Sequence, residues 1–480
     1  MGKAAQAKVR HVPIARARTV RAARRARPAP EGAAFALEGW LEERRIAKAK
    51  IGAFDVDGVF RGKYVSIEKL LSAARSGLGF CDVVFGWDLA DELYDNAKVT
   101  GWHTGYPDAR AVVDLSTARV IPWEPDTAAF ILDFVDAEGA PFEPSPRQLL
   151  HRIGRKARAL GFLPRVGAEY EYFLFRETPQ SLREKGFRNL ATLTPGMFGY
   201  SWLRSSANAG LVHALVDGLG AFGVPVEGMH TETGPGVYET AIRYDDLERS
   251  ADQAALFKTA VKEICARHGV TACFMAKWNA ALPGCSGHLH LSLWDRGGEK
   301  NLFVDPSSGR ESATLRHFLG GQLALMPELT ALHWPTVNSY KRSVENTWAP
   351  TTATWGRENR TCAVRLIGDS PKSTRLEYRQ PGADANPYLS MAAALAAGLW
   401  GIEHEVEPPA ACEGNGYEAS AAPLPRDLKE ATALLRRSER ARELLGEGFV
   451  DHFVRTREWE VRRFERAVTT WELERYLELV

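Results

Sequence analysis

The stretch from Gly167 to Phe175, GAEYEYFLF, alternates with period two. As a strand it sets Glu169, Glu171, Phe173 and Phe175 on one face and Tyr170, Tyr172 and Leu174 on the other. Two carboxylates then lie side by side. Like charges about 4 Å apart repel by about 4 kcal/mol at an effective dielectric of about 20, so a sheet keeps such a pair only where a cation sits between them. A metal ion is the first candidate. Two later stretches repeat the pattern. SGHLHLSL from Ser286 sets His288, His290 and Ser292 on one face with leucines opposite, and RLEYR from Arg375 groups Arg375, Glu377 and Arg379. Three strands, each apolar on one side and ionic on the other, predict an antiparallel sheet whose polar face is a site and not a solvated surface.

The rest of the 480-residue chain sets the frame. Its length suffices for two domains, and no apolar run approaches the roughly 18 residues of a membrane span. The six cysteines, Cys81, Cys265, Cys273, Cys285, Cys362 and Cys412, form no CxxC pair, so neither a zinc site nor a disulfide framework is indicated and a cytoplasmic setting is expected. Residues 1–34 are rich in Ala, Arg and Pro without an apolar period, and from Lys3 to Arg27 every formal charge is positive. This tail is read as disordered: a targeting segment, a nucleic-acid arm, or an extension without a role.

Residues 35–142 read as a small α+β domain. Apolar runs on either side of the turn Asp55 to Gly58 predict a hairpin. Pro141, Pro144 and Pro146 mark its end, and Arg147 to Leu160 has helical spacing. Residues 143–480 form the second domain. Gly218 to Gly223 is formally GxGxxG, but a helical stretch precedes it and a strand-like one follows, the reverse of a dinucleotide fingerprint; these glycines read as a helix C-cap and turn. No Walker A sequence is present, so a nucleotide, if used, is not held by a P-loop. Glu232 and Glu239 flank a Gly-Pro-Gly turn that can aim both at one point. Asn386 and Pro387 supply an N-cap and a first-turn proline for an alanine-rich buried helix, and residues 424–480 read as amphipathic helices.

Glu169, Glu171, Glu232, Glu239, Glu377 and His288 make an oxygen-rich set with one imidazole. Such a set favours Mg²⁺ or Mn²⁺ over zinc, and so many carboxylates call for two ions. With Arg342, Arg360, Arg365, Arg375 and Arg379 close by in sequence, the residues point to metal-dependent phosphoryl transfer.

Taken in order, GAEYEYF around Glu169, ETGPGVYE from Glu232, SGHLHLS around His288, NSYKR ending at Arg342, the segment Asn359 to Arg365, and RLEYR running on to Asn386 resemble the glutamine synthetase family from about Phe35 to the C-terminus. The resemblance implies an α+β fold: a small β-grasp domain followed by a catalytic domain with a curved antiparallel sheet flanked by helices. It implies that Glu171, Glu232 and Glu239 hold one metal and Glu169, His288 and Glu377 a second. Glu227, His290, Ser292, Arg360, Arg365 and Lys372 match nucleotide-contacting positions. Arg342, Arg379 and the backbone of Gly284 match glutamate-contacting ones, beside Glu171. The implied reaction is ATP-dependent phosphorylation of the glutamate γ-carboxylate followed by attack of a nitrogen nucleophile, with Arg342, Arg360 and Arg379 stabilising charge, in a homo-oligomer, a dodecamer, whose sites are completed between subunits.

Departures from the family pattern concern the nucleophile. Where glutamine synthetases carry a flap glutamate, this chain has Trp348; the loop that enters the neighbour's ammonium pocket has its nearest counterpart in Val84 to Asp88; and Val237 and Pro283 replace a usual Gln and Asn. The pocket becomes more aromatic and less anionic, which suits an organic amine. The ending from Trp471 to Tyr476 also resembles the γ-glutamyl-amine branch. Polyamine, alkylamine, ethanolamine and aromatic amine all stay open as nucleophile, with ammonia and a catalytically silent member as alternatives. Tyr417 matches a tyrosine adenylylated in some bacterial relatives, but without the usual Asp-Leu-Pro after it, and reads as an unmodified loop residue.

Overall fold

The structure, a computed structural model, describes residues 37–480 apart from 137 and 369, so the tail 1–34 lies outside the described residues. Among the described residues the strands form two sheets, of five and eight strands. β1 (Lys48–Phe54) and β2 (Phe60–Val65) make the hairpin that the Asp-Gly signal predicts. Gly58 takes φ 78° in its turn, and the Asp55 carboxylate accepts from the amides of Asp57 and Val59 at 3.0 and 2.8 Å. β3 (Leu78–Cys81), β4 (Asp108–Val120) and β5 (Thr127–Val135) complete the order β2-β1-β5-β4-β3. β1 and β5 run parallel, the β-grasp arrangement, and the helix Ile67–Ser76 packs Leu70 and Ala73 onto the sheet.

The second sheet is built on β6 (Leu163–Phe175), with β7 (Val226–Thr231), β8 (Val237–Asp246), β9 (Thr271–Cys273), β10 (Gly287–Trp294), β11 (Trp355–Arg357), β12 (Val364–Ile367) and β13 (Arg375–Tyr378). Its order is β11-β12-β13-β10-β6-β8-β7, with β9 on the end of β6. The pairing is antiparallel except for β11 with β12, where the connection 358–363 doubles back with Glu358 at φ 49°. Phe173 and Phe175, placed by alternation on the carboxylate face, are buried instead against Trp278, because beyond Glu171 both faces of β6 are covered.

Behind this sheet lie the helices Pro146–Ala159, Leu247–Arg267, Ala313–His333 and Pro387–Glu403. Pro387–Glu403 is buried on nearly every side, as its alanine content predicts, and its N-cap Asn386 accepts from the Tyr388 amide at 3.0 Å. The same side chain donates to the carbonyls of Asp55 and Val56, so the residue that starts the core helix also holds the first hairpin. Gly218 and Gly220 lie within the helix Ala209–Ala221, and Gly223 alone takes positive φ; the turn is shorter than the sequence predicts because the helix runs on through two of the glycines. No described helix is long and apolar enough to cross a membrane.

One buried side chain ties the first sheet to the helices behind the second. Arg147 donates to Asp252 Oδ1 at 2.8 Å and Oδ2 at 2.9 Å, to Asp133 of β5 at 2.5 Å and to Asp114 of β4 at 2.7 Å, and the Tyr388 hydroxyl completes the shell of Asp252 at 2.7 Å. Removing one partner of a buried ionic network leaves charge without compensation and costs about 3–5 kcal/mol. Arg147→Met is therefore expected to lower the unfolding free energy by about that amount. Chemical denaturation checks it, and a loss below about 1 kcal/mol would show that the network is not structural.

Candidate active site

Strand register places the functional side chains in rows across the eight-stranded sheet. Arg365 of β12 pairs with Glu377 of β13, Glu377 with His290 of β10, His288 with Glu169 of β6, Glu171 with Glu239 of β8, and Glu239 with His230 of β7. Period two keeps all of them on one face. The turn that brings Glu232 beside Glu239 depends on Gly236 at φ 72°, where an added Cβ would lie 2.5 Å from the Leu174 carbonyl oxygen.

The carboxylates fall into two groups. In one, His288 Nδ1 lies 3.1 Å from Glu169 Oε1 and 3.4 Å from Glu377 Oε1, while His290 Nε2 lies 3.4 Å from Glu169 Oε2. In the other, His230 Nδ1 and Nε2 lie 3.7 Å from Glu232 and Glu239 respectively. Glu169, His290 and Glu377 offer ligand atoms within 4.8 Å of one another, as do His230, Glu232 and Glu239. Glu171 sits between the groups, its Oε2 accepting from the Ser286 amide at 2.6 Å.

Electrostatics divide these carboxylates. Burial would raise Glu377, but Arg379 at 2.5 Å and both strand histidines outweigh it and hold the carboxyl at about 2. Burial also opposes ionisation of Glu169, yet His290 and His288 keep it well below the usual range. Glu239 is pushed up to about 9, by burial first and then by Glu169, Glu171, Glu232 and Glu377. Arg379 and Arg365 balance Glu377, but among the described residues no guanidinium lies within ion-pair distance of Glu171, Glu232 or Glu239, so ionising the whole set at neutral pH calls for added positive charge. The donors fit Mg²⁺ or Mn²⁺: oxygen-rich, with ligand atoms spaced as around ions bound at roughly 2.1–2.2 Å. Among the described residues His288 Nε2 is buried without a partner.

Three clefts share this face. One of about 670 Å³ is lined by Glu171, Glu232, Gly284, Arg342 and Trp348. One of about 630 Å³ holds all six carboxylate and imidazole residues of the expected metal sets, with Arg360, Arg365, Arg379 and again Trp348. The third, of about 420 Å³, is lined by Glu227, His290, Ser292, Lys372 and Arg375. The middle cleft shares Glu171, Glu232 and Trp348 with the first and Glu169, His290 and Arg375 with the third, so the three form one groove. Arg342 is buried and donates to Ser286 Oγ at 3.1 Å and the Gln380 carbonyl at 2.6 Å; its Nε has no partner among the described residues. Arg379 bridges Glu377 to the Trp348 carbonyl at 3.3 Å. Arg360 stands exposed at the rim, and Arg365 reaches Glu377 at 3.1 Å and Glu358.

Asp88 is the expected site residue that its own chain does not bring to this groove. Its carboxylate accepts from the amides of Ala90 and Glu92 and from Trp459 Nε1 at 2.9 Å. Sequence reasoning gave no role to His230, although the Gly-Pro-Gly hairpin that pairs Thr231 with Tyr238 puts His230 directly opposite Glu239. Tyr200, which stacks on His230, carried no signal because it comes from an irregular segment. The set therefore has three imidazoles where the sequence count had one.

Residues 143–476 match the family described as "Glutamine synthetase, catalytic domain". A Dictyostelium discoideum protein named Type-1 glutamine synthetase 2 is 48% identical, aligned over 92% of this chain and 86% of its own length. The glutamate–isopropylamine ligase of a Pseudomonas species is 39% identical over 92% of this chain and 98% of its own. Solved structures of GmaS, without ligand and with ADP, superpose at a TM-score of 0.80 with 30% identity, covering 92% of this chain and 99% of theirs. With its ordered motifs assembled on one sheet face, the chain belongs to the glutamine synthetase family.

Proposed function

We propose that this protein is an ATP-dependent ligase joining the γ-carboxylate of glutamate to an organic amine through γ-glutamyl phosphate, with residues 35–142 as the small N-terminal domain and 143–480 as the catalytic one. The observation that carries the reading is the continuous groove: nucleotide-type residues at one end, carboxylates in the middle, and Arg342, Gly284 and Trp348 at the other. Two Mg²⁺ or Mn²⁺ ions held by the two carboxylate groups would screen phosphate charge during transfer.

In this reading Glu227, His290, Ser292 and Lys372 hold the nucleotide, and Arg360 and Arg365 face its phosphates. Arg342 and the Gly284 backbone orient glutamate so that its γ-carboxylate meets the γ-phosphoryl group in line. Its carboxylate oxygen forms a bond to phosphorus as ADP leaves. The amine nitrogen then attacks the acyl carbon, phosphate departs and a proton is lost. Arg379, tied to Glu377, stabilises the charge of the departing phosphate.

Trp348 supports an amine. It lines both substrate-side clefts and is 61% exposed, so its ring is available to a ligand. An indole offers an apolar face and one N–H donor but no base for ammonium. The names of the Pseudomonas relative and of other relatives, a γ-glutamylethanolamide synthetase and a γ-glutamylputrescine synthetase, agree with this reading. The name of the 48% identical relative favours a second reading, ammonia as nucleophile.

A cytoplasmic homo-oligomer, a dodecamer, accompanies the proposal. Asp88 stays outside its own chain's groove, and the last helix, Thr470–Tyr476, buries none of its side chains while Val468, Trp471, Leu477 and Leu479 stand exposed. Light scattering is expected to find a large assembly; a fully active monomer would refute the shared site.

Gly284→Ala places a Cβ 2.4 Å from the Ala276 carbonyl oxygen and 2.7 Å from Arg342 Cγ. Losing a charge-assisted hydrogen bond worth about 1.5–3 kcal/mol predicts a KM for glutamate raised about tenfold or more with ADP affinity unchanged. Isothermal titration and steady-state kinetics check both halves.

The nucleophile is tested by kcat/KM for ammonium against methylamine, isopropylamine, ethanolamine and putrescine at equal free-base concentration. Two or three methylenes buried at about 0.8 kcal/mol each give a preference of about tenfold or more for an amine, which Trp348→Glu is expected to shift towards ammonium. If ammonium outpaces every amine, the second reading holds and the role given to Trp348 is wrong.

A further inference from the structure

We infer that His230 is a direct ligand of the cation held by Glu232 and Glu239, and that it tunes this site towards Mn²⁺ over Mg²⁺. The inference rests on the proposed function and extends it to a residue that the resemblance gives no role.

Hydrogen-bond partners decide which imidazole nitrogen carries hydrogen. His230 Nδ1 lies 3.1 Å from the Thr231 carbonyl oxygen, a pure acceptor, so Nδ1 is the donor. In the neutral ring Nε2 then carries a lone pair, and it points at Glu239 Oε2, 3.7 Å away. A lone pair facing a carboxylate oxygen is repulsive unless a proton or a cation lies between them, and once Glu239 is ionised to hold a metal only the cation can fill that place. This is the arrangement by which proteins fix a metal-binding histidine: one nitrogen donates to a backbone carbonyl while the other faces the ion. At 3.7 Å the two atoms are close enough for one ion to meet both at about 2.2 Å.

His290 has the opposite tautomer. Arg375 Nε donates to its Nδ1 at 3.2 Å, so in the neutral ring Nε2 bears the hydrogen and faces Glu169 Oε2 as a donor. Two histidines beside carboxylates thus have different chemistry, His290 giving a hydrogen bond and His230 offering an electron pair.

Tyr200 fixes the orientation. Its ring stacks on the imidazole with centroids 4.2 Å apart and planes at 22°, and its backbone amide donates at 2.7 Å to the same Thr231 carbonyl that receives His230 Nδ1. Tyr200 takes φ 53°, a conformation rare for a tyrosine, which turns the ring over His230. One carbonyl therefore positions both rings, and the pair forms a wall of the carboxylate cleft. Imidazole nitrogen suits transition ions better than Mg²⁺, which prefers oxygen. Removing it should cost Mn²⁺ more than Mg²⁺.

The test uses the full-length protein without substrates. Mn²⁺ and Mg²⁺ affinities are measured by equilibrium dialysis and competition for the wild type, His230→Gln and Tyr200→Ala. His230→Gln keeps the size and supplies an oxygen, and on an edge strand at partial exposure it leaves the fold in place, checked by circular dichroism and assembly size. Mn²⁺ affinity is expected to fall about tenfold or more in His230→Gln while Mg²⁺ affinity changes less than threefold, with an intermediate Mn²⁺ loss in Tyr200→Ala. Pulsed electron paramagnetic resonance of bound Mn²⁺ should show weaker nitrogen modulation in His230→Gln than in wild type. Equal losses for the two ions, or unchanged Mn²⁺ affinity and modulation, would overturn the assignment. A wild-type protein that binds neither ion would instead remove the metal basis of the proposed function itself.

Discussion

Like charge held at close range on one sheet face is the constraint around which this protein is built. Glu169, Glu171, Glu232, Glu239 and Glu377 share a surface, and Glu239 shows what that costs: its carboxyl is pushed up by burial and by the four others. Each neighbouring element relieves part of the repulsion. Arg379 and Arg365 hold Glu377, the Ser286 amide serves Glu171, and His288 and His290 stand between Glu169 and Glu377. What side chains leave uncompensated is the requirement for divalent cations, so the need for a cofactor is set by the sheet's own register. The opposite face of β6 meets the need for rigidity, with Tyr170 and Tyr172 buried against Phe257 and Phe274 so that the strand cannot twist its carboxylates apart.

Much of this was legible in the sequence because a strand's side-chain direction is a local property. Alternation alone places Glu169 with Glu171 and His288 with His290, and the hairpin of β1 and β2 and the start of the helix Pro387–Glu403 follow from short-range signals at Gly58 and Asn386. What was not legible depends on partners distant in the chain. Arg147 opens a stretch of helical spacing with no local sign of its role, and only the packing of three separate elements makes it a buried hub. His230 went unassigned because its meaning lies in a cross-strand pairing and in Tyr200, a residue of an irregular segment. Phe173 and Phe175 obeyed the period but not the environment it implied, since burial on a strand can change partway along it. The resemblance supplied what neither kind of signal could, the assignment of one end of the groove to nucleotide and the other to amino acid.

The end of the groove proposed for the amino acid is assembled from loops. Gly284 sits on the chain leading into β10, Arg342 follows a short helical turn, and Trp348 comes from a segment with Asn346 and Trp348 itself at positive φ. Backbone strain at two positions within three residues is maintained by contacts at both ends: Arg379 holds the Trp348 carbonyl, and the Tyr417 hydroxyl donates to Ala349 at 3.0 Å. Because these residues lie on loops and not on the strands, a substitution among them reshapes this end of the groove while leaving the sheet in place.

The bridge made by Arg379 limits that freedom. Its guanidinium has one arm on Glu377, in the proposed phosphoryl region, and another on the main chain of the loop proposed to meet the nucleophile. The two regions therefore share a mechanical part. Grafting the corresponding loop from another ligase, the natural route for an engineer seeking a new amide product, also resets the position of Arg379. Turnover of the nucleotide would then change along with substrate choice, and the two traits have to be optimised together.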